Sequence, residues 1–424
     1  MSALKRRLGT GDAILIGLSS MLGAGVFAAF GPAAQAAGGW LLVGLLLAAV
    51  IAYCNAVASA QLAAAYPVSG GTYVYGGERL GDWWGFLAGW GFVIGKTASC
   101  AAMALTVAWY AFPGNVWAAR GLAVAAVIAV AALNYRGVTR TAAAAKVLVT
   151  CALLALATFA VAVWTSGGTE PSGLQLGTAP AGAYGVLQSA GLLFFAFAGY
   201  ARMATMGEEV RDPARTLPRA IPLALGITVV IYAVIGASAL LATGPSGLAG
   251  SDSPLVTALT AVGREQIAPV VRVGAALASL GALLALLAGI GRTSLAMARG
   301  GDLPAWLGAV HPRFAVPHRA EVVVAAAVCL LVLTVDLRGA LGFSSFGVLV
   351  YYAIANAAAY TQPSGQRRWP RWLNLLGLAG CLVLAATLPW QAVAAGCAMF
   401  ALGVAARWLA HRARPPSQRA AEPP

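Results

Sequence analysis

Long apolar runs recur along the chain from residue 11 to residue 408, and they constrain its fold more than any other feature. Hydrophobic residues make up 60% of the 424 residues and charged residues only 9%, whereas about a quarter of an average soluble chain is charged. A bilayer offers no water to backbone N–H and C=O groups, so apolar segments of this length cross it as helices. The sequence therefore predicts an all-α polytopic membrane protein surrounded by the lipid bilayer. Twelve transmembrane helices are predicted, over residues 11–37, 39–65, 83–112, 118–134, 146–166, 183–209, 220–243, 267–296, 320–337, 340–361, 372–389 and 390–408.

The basic residues are distributed unevenly between the two sides of this arrangement. The net charge is +14, with 27 lysines and arginines against 13 aspartates and glutamates. If the N-terminus is cytoplasmic, most basic residues fall in cytoplasmic segments, and the outer loops hold only Arg120, Arg264, Arg272 and Arg338. This positive-inside bias predicts a multi-pass protein of the plasma (inner) membrane with both termini in the cytoplasm. It also explains the basic charge without a nucleic-acid partner.

The sequence offers no constellation of residues for catalysis or metal binding. All six cysteines fall within predicted spans without a CxxC motif, and the histidines His311, His318 and His411 form no sequence cluster. We therefore predict no cofactor, no metal and no enzymatic activity. Two other classes stay open as alternatives. A polytopic enzyme would need acidic or histidine residues at one membrane face, and a sensor would need a soluble output domain.

Glycine interrupts two of the predicted spans at corresponding places. The first span contains "SSMLGAGVFAAFGP" (19–32), and the sixth contains "LLFFAFAGY" (192–200) with Gly199 close to its middle. Either these glycines let another helix pack closely, or the backbone opens there to hold a ligand. Paired interruptions in inverted repeats are typical of a transporter site at the middle of the bilayer. The predicted organisation is a five-helix repeat at 1–166, an inverted repeat at 183–361, two further helices at 372–408 and a disordered cytoplasmic tail at 409–424.

Several motifs occur in an order and spacing that resemble one family of membrane proteins. They are "GDAILIGLSSMLGAGVF" (11–27), "YPVSGGTYVYGGERLG" (66–81), "NYRGV" (134–138), "FFAFAGY" (194–200), "EEVRDPARTLPRAI" (208–221) and "RTSLAMARGGDLP" (292–304). Together they resemble the amino acid–polyamine–organocation (APC) superfamily of permeases, over essentially the whole chain. The resemblance implies the LeuT-type fold, a 5+5 inverted repeat plus two helices, with helices 1 and 6 broken.

The resemblance also implies a site for an amino acid or amine substrate between spans 1, 3, 6 and 8. Backbone N–H groups at the first break would hold the substrate carboxylate, and carbonyls at the second break would face its ammonium. The physical chemistry agrees, because a helix start offers free N–H donors to an anion and a helix end offers carbonyls to a cation. A bulky side chain at Gly25 is then expected to block the carboxylate while leaving the protein folded. The implied substrate-binding residues are Gly23, Ala24, Gly25, Val26, Phe197, Ala198, Gly199 and Tyr200.

Three features depart from patterns found in parts of this superfamily. Many relatives have an acidic residue directly after "GF" or "GY" in span 6, where this chain has Ala201. Some proton-coupled relatives have a lysine midway along span 5; that position is Ala152 here, and Lys146 lies about two turns earlier as a cytoplasmic charge. Span 8 contains no aromatic residue, so the tryptophan lid of arginine-exchanging relatives is absent.

Two basic residues, Lys96 and Arg202, fall well inside predicted spans rather than close to an end. A charge there is costly, so it faces a cavity or pairs with a neighbouring helix. Burial favours the neutral amine, which makes Lys96 a candidate coupling group, with a structural lysine held by carbonyls as the alternative. Arg202 cannot titrate; it either anchors a substrate carboxylate or, by preference, pairs with Glu208 or Glu209. These two glutamates and Arg211 are expected to lock a cytoplasmic gate.

The function that follows is secondary active transport of an amino acid, coupled to protons or working by exchange. Both interior charges are positive and the acidic position in span 6 is Ala201, so neutral substrates are favoured over cationic ones. Acidic substrates come second, if Arg202 faces the cavity. Export of amino acids or amines is an alternative, because direction follows coupling rather than fold.

Overall fold

The computed structural model describes residues 8–66, 70–137, 142–177, 179–200, 203 and 210–413. Within these ranges the regular structure is helical, apart from one isolated bridge between Leu8 and Val210. The α-helices are α1 (Thr10–Met21), α2 (Ala24–Ala28), α3 (Phe30–Ala37), α4 (Leu41–Ala65), α5 (Thr72–Leu80), α6 (Asp82–Ala111), α7 (Val116–Tyr135), α8 (Ala142–Trp164), α9 (Gly182–Phe197), α10 (Pro213–Leu248), α11 (Pro254–Ala261), α12 (Ala268–Arg299), α13 (His318–Thr334), α14 (Leu337–Tyr360), α15 (Arg371–Thr387) and α16 (Trp390–Ala413). Short 3₁₀ turns join some of them, including Ala198–Tyr200 directly after α9.

Ten helical segments of the described chain are long and apolar enough to cross a membrane, which makes this a multi-pass membrane protein. They correspond to ten of the twelve predicted spans. The other two are α13 and α15, each of 17 residues, somewhat below the roughly 20 that a bilayer-spanning helix needs. The count of twelve spans therefore stays a prediction.

Two helices extend well beyond the spans that the sequence predicts. α10 begins at Pro213 rather than near residue 220, with proline at its first position, where the missing N–H has no partner to lose. α16 continues to Ala413 rather than ending near residue 408. In both cases charged residues end the apolar segment without ending the helix.

α6 lies at the centre of the bundle. It packs along α14 and α12, and most of its residues are buried. α4 packs against α9 and α10, and α1 packs against α10. α7, by contrast, exposes most of its surface and lies at the periphery. The central position of α6 matters because it carries Lys96.

Two helix interruptions lie side by side next to α6. α1 ends at Met21, Gly23 has a non-helical backbone (φ −93°, ψ −143°), and α2 begins at Ala24. α9 ends at Phe197 and gives way to the 3₁₀ turn Ala198–Tyr200. This turn contacts the end of α1, and α2 contacts α9, so unsatisfied backbone groups from both interruptions come together.

Candidate substrate-binding site

A cavity of about 360 Å³ lies where the two interruptions meet α6 and α12. Its wall is mostly apolar, with backbone atoms at the breaks and a few hydroxyl groups. Lys96 and Arg292 are the charged side chains among the described residues that line it, and those residues include no carboxylate. Other lining residues are Ser20, Met21, Phe92, Ser99, Met103, Phe195, Ala196, Ala282, Ala285, Leu286, Gly289, Thr293 and Ala296.

The residues implied by the family resemblance divide into two groups. Five of them line the cavity: Gly23, Ala24, Gly25, Ala198 and Gly199. The other three are buried beside it: Val26, Phe197 and Tyr200. The Phe197 ring packs on Tyr232 at a centroid distance of 5.1 Å, and the Tyr200 ring packs on Tyr352 at 4.9 Å. The structure thus brings all eight to one place, although only five reach the open space.

Glycines at the interruptions serve close helix packing. A Cβ atom on Gly25 would collide with the Cα and Cβ of Ala196, and one on Gly199 would collide with the carbonyl of Ser20. At Gly23 it would come within 2.8 Å of the Ala282 side chain. The packing alternative therefore applies to these glycines even though they also line the cavity. The expectation that a bulky residue at Gly25 leaves the fold intact has no support from this geometry.

Lys96 lies on the cavity wall and is 4% exposed. Its Nζ donates a hydrogen bond to the carbonyl oxygen of Ala198, 3.1 Å away. Ala198 is at the end of α9, where carbonyls lose their helical N–H partners. Lys96 thus faces the cavity and is also held by a carbonyl of a neighbouring helix, and its role as a coupling group stays a prediction.

Two tyrosines that the sequence does not single out satisfy other carbonyls at the breaks. The hydroxyl of Tyr232 in α10 lies 2.6 Å from the carbonyl oxygen of Met21 and 3.0 Å from that of Ala196. The hydroxyl of Tyr110 in α6 donates to the carbonyl of Phe27 at 2.7 Å. Both phenols are buried. Nothing in the sequence distinguishes them from other tyrosines of apolar spans, since their acceptors lie far away along the chain.

Two contacts link neighbouring segments near the start of α1. This end of the bundle is the one that the distribution of basic residues predicts to be cytoplasmic. The backbone N–H of Arg211 donates to the Leu8 carbonyl at 2.9 Å. Lys146 of α8 forms an ion pair with Asp12 of α1 at 3.0 Å. It therefore links two helices in addition to contributing to the positive-inside bias. Of the predicted gate and interior charges, Arg211 is placed here, whereas Arg202, Glu208 and Glu209 lie outside the described residues.

These features define a class of protein. A multi-pass helical bundle with two adjacent helix interruptions around a partly polar cavity is typical of secondary transporters. Residues 8–417 match the amino acid permease family, and the chain belongs to that family. It is accordingly a membrane transporter of the APC type, as the motifs predict.

Relatives and a solved structure agree with this assignment. An uncharacterized transporter of Mycobacterium tuberculosis is 58% identical over 97% of this chain and 93% of its own length. The branched-chain amino acid permease BcaP of Bacillus subtilis is 27% identical over 92% and 90%. Cationic amino acid transporter 7 of Arabidopsis thaliana is also 27% identical, over 93% and 72%. The crystal structure of MhsT in complex with L-phenylalanine shares the fold, with a TM-score of 0.63 over 95% of this chain and 99% of that one, at 17% identity.

Proposed function

We propose that this protein is a secondary active transporter that moves neutral amino acids across the plasma (inner) membrane by alternating access. In this proposal the protein has twelve spans, and both termini are cytoplasmic. α1–α3 form the broken helix of the first repeat, and α9 with its 3₁₀ turn belongs to the broken helix of the second, inverted repeat. The observation that carries the proposal is the cavity at the meeting of the two interruptions. In such a site backbone N–H and C=O groups bind the two charges of a zwitterion, so no charged side chain is needed to hold it.

In this proposal the substrate carboxylate accepts hydrogen bonds from the N–H groups of Ala24, Gly25 and Val26. These are the first residues of α2, where backbone N–H groups have no intrahelical acceptor. The substrate ammonium faces the carbonyls of residues 197–199. Gly70 and Ala315, in loops on the cytoplasmic side of the proposed topology, also line the cavity, which supports an opening toward that side.

The gate of this proposal lies at the same end. Arg211 and the segment around Leu8 hold the start of α1 against the start of α10. We propose from the sequence that Glu208 and Glu209 lock this contact and that Arg202 pairs with one of them; all three lie outside the described residues. Opening and closing of the gate then involves breaking the bond between Arg211 and Leu8.

The sign of the cavity's charge supports a neutral substrate. Relatives of equal identity have printed names that specify either branched-chain or cationic amino acids, so identity does not decide the substrate class. Lys96 and Arg292 both line the cavity, and the described lining residues offer no carboxylate to balance a cationic side chain. An unpaired charge in such a site is strongly disfavoured.

Competition in proteoliposomes tests the substrate class. Among labelled amino acids, a neutral one is expected to give the highest uptake. Unlabelled lysine or arginine should compete with it at least about tenfold more weakly than unlabelled neutral amino acids do. A tenfold difference in affinity corresponds to roughly 1.4 kcal/mol of repulsion. Arginine or lysine displacing the best neutral substrate at equal concentration would overturn the neutral assignment. If glutamate competes, and Arg202→Gln removes only that competition, acidic substrates are carried as well.

Transport is expected not to require sodium. The reason is that Lys96 can supply the positive charge in the cavity when it is protonated, and the described lining residues include no carboxylate to hold a metal ion. Uptake into proteoliposomes should be unchanged when choline replaces sodium, and it should respond to an imposed pH gradient. Uptake that survives a collapsed pH gradient and disappears without sodium would contradict this expectation.

A further inference from the structure

Lys96 occupies the place that the proposed function gives to the substrate's ammonium group. Its Nζ is hydrogen-bonded to the Ala198 carbonyl, the middle one of the three carbonyls at the α9 interruption. The lysine is nearly fully buried and lines the cavity. When Lys96 is protonated, a cation is therefore bound to this carbonyl before an amino acid arrives.

Neighbouring carbonyls at the breaks are also occupied by protein donors. The buried Tyr232 hydroxyl has one proton and lies within hydrogen-bond distance of the carbonyls of Met21 and Ala196, on a rigid aromatic side chain. Lys96, by contrast, has a flexible four-carbon side chain beside open space. Of the two donors, the lysine is the one that an incoming ammonium can displace.

Two ammonium groups at one carbonyl repel each other strongly in a poorly screened interior. The described residues that line the cavity offer no carboxylate to offset a second positive charge, and Arg292 adds one more. The repulsion is relieved when Lys96 becomes neutral. Occupation by the substrate and protonation of Lys96 thus oppose each other.

We propose that the substrate ammonium and the proton on Lys96 compete for the Ala198 carbonyl, so that the protein works as an amino acid–proton exchanger. This inference rests on the proposed function, because it requires a substrate with an amino group. On binding, one N–H bond of Lys96 breaks, its electron pair stays on Nζ, and the proton passes to water in the cavity. The site then alternates between a protonated empty form and a neutral form that holds a zwitterion. Where the outer side is more acidic, this exchange drives amino acids outward.

In the part of the chain that the structure describes, few other groups near Lys96 could account for a pH dependence. Cys100 lies one turn further along α6, and Arg292 of α12 lines the same cavity. The ring of Tyr351 in α14 packs on Phe92 of α6 at 5.3 Å. In α13, Glu321 packs beside Gly291, the neighbour of Arg292. Among the described lining residues, α1, α2 and α9 contribute no titratable side chain.

Proton release on binding is the test. Purified protein in weakly buffered detergent, with a pH indicator, is mixed with the best neutral amino acid from the uptake panel. We expect about one proton released per amino acid bound, and an affinity that tightens by up to roughly tenfold per pH unit while Lys96 is protonated. The deaminated acid of the same side chain, 4-methylpentanoate for leucine, is the matched ligand. It leaves Lys96 on Ala198 and should bind without proton release.

Lys96→Met retains an unbranched side chain that is one atom shorter and carries no charge. This variant should bind the amino acid with no proton release and no pH dependence, whereas Glu321→Gln should retain both. Proton uptake on binding, or a wild-type affinity that does not change with pH, would overturn the exchange inference. If Lys96→Met does not fold, the wild-type measurement with the two ligands still decides. No binding of any amino acid at any pH would instead overturn the proposed function.

Discussion

Gly25→Ala is expected to cost the protein its folded, transport-competent state. The added methyl group would collide with the Cα and Cβ of Ala196 in the last turn of α9. The obstacle is largely backbone, so it cannot move aside unless α2 separates from α9. Overpacking of a dense core typically costs about 1–3 kcal/mol, and a collision with backbone belongs at the upper end or above it. The measurement is the yield of monodisperse protein and its thermal unfolding in detergent.

Gly289 provides the matched control for this prediction. It lies in α12 on the wall of the same cavity, and a Cβ there would meet no atom within 4 Å. Gly289→Ala should keep or slightly raise the melting temperature, because alanine favours a helix by up to about 1 kcal/mol over glycine. Gly289→Leu should fold but weaken substrate binding by filling the cavity. A Gly25→Ala variant with wild-type stability and transport would show that α2 and α9 are not held this tightly.

Arg407→Gln is expected to destabilise the protein by about 3–5 kcal/mol, because it leaves a buried carboxylate without its ion-pair partner. Arg407 of α16 pairs with Asp302 at 3.0 Å, and each side chain is only 7% exposed. The guanidinium also donates to the Asp82 carbonyl at 2.8 Å. Its planar group lies 4.6 Å from the ring centroid of Trp83, so lost packing adds to lost charge.

The Asp302 carboxylate accepts a second hydrogen bond, which bears on how much stability is lost when Arg407 is replaced. The Tyr73 hydroxyl donates to it at 3.0 Å, and burial, followed by the Asp302 charge, raises the pKa of Tyr73. The phenol therefore remains a neutral donor, and it does not replace the charge of Arg407. The double variant Asp302→Asn with Arg407→Gln should recover part of the lost stability, since no buried charge is then left over.

An exposed ion pair gives the control. Arg215 and Asp212 form a pair at 3.5 Å with side chains 81% and 55% exposed. Arg215→Gln should change the unfolding free energy by no more than about 1 kcal/mol, as is usual for surface pairs. Equal melting temperatures for Arg215→Gln and Arg407→Gln would mean that the buried pair contributes no more than a surface one.

Span positions follow closely from the sequence. Span 3 is predicted at 83–112, and α6 runs from Asp82 to Ala111. Apolar length is a property of a contiguous segment, and the bilayer turns it into a helix without reference to the rest of the chain. Helix ends beyond the apolar region escape this reasoning, as Pro213 and Ala413 show. Once a helix leaves the membrane, caps and neighbours rather than hydropathy decide where it stops.

Some features of the candidate site also follow from the sequence alone, whereas others depend on the tertiary structure. The sequence by itself determined the membrane class, the family and the two glycine-rich segments, because composition and motif spacing are contained in the chain order. Only the tertiary structure decided that Lys96 binds Ala198, that Tyr232 joins Met21 to Ala196, and that Gly25 packs on Ala196. These partners lie on different helices, tens to hundreds of residues apart. A hydrogen bond or a backbone contact depends on positions to within a few tenths of an ångström, and such positions exist only after the helices have packed.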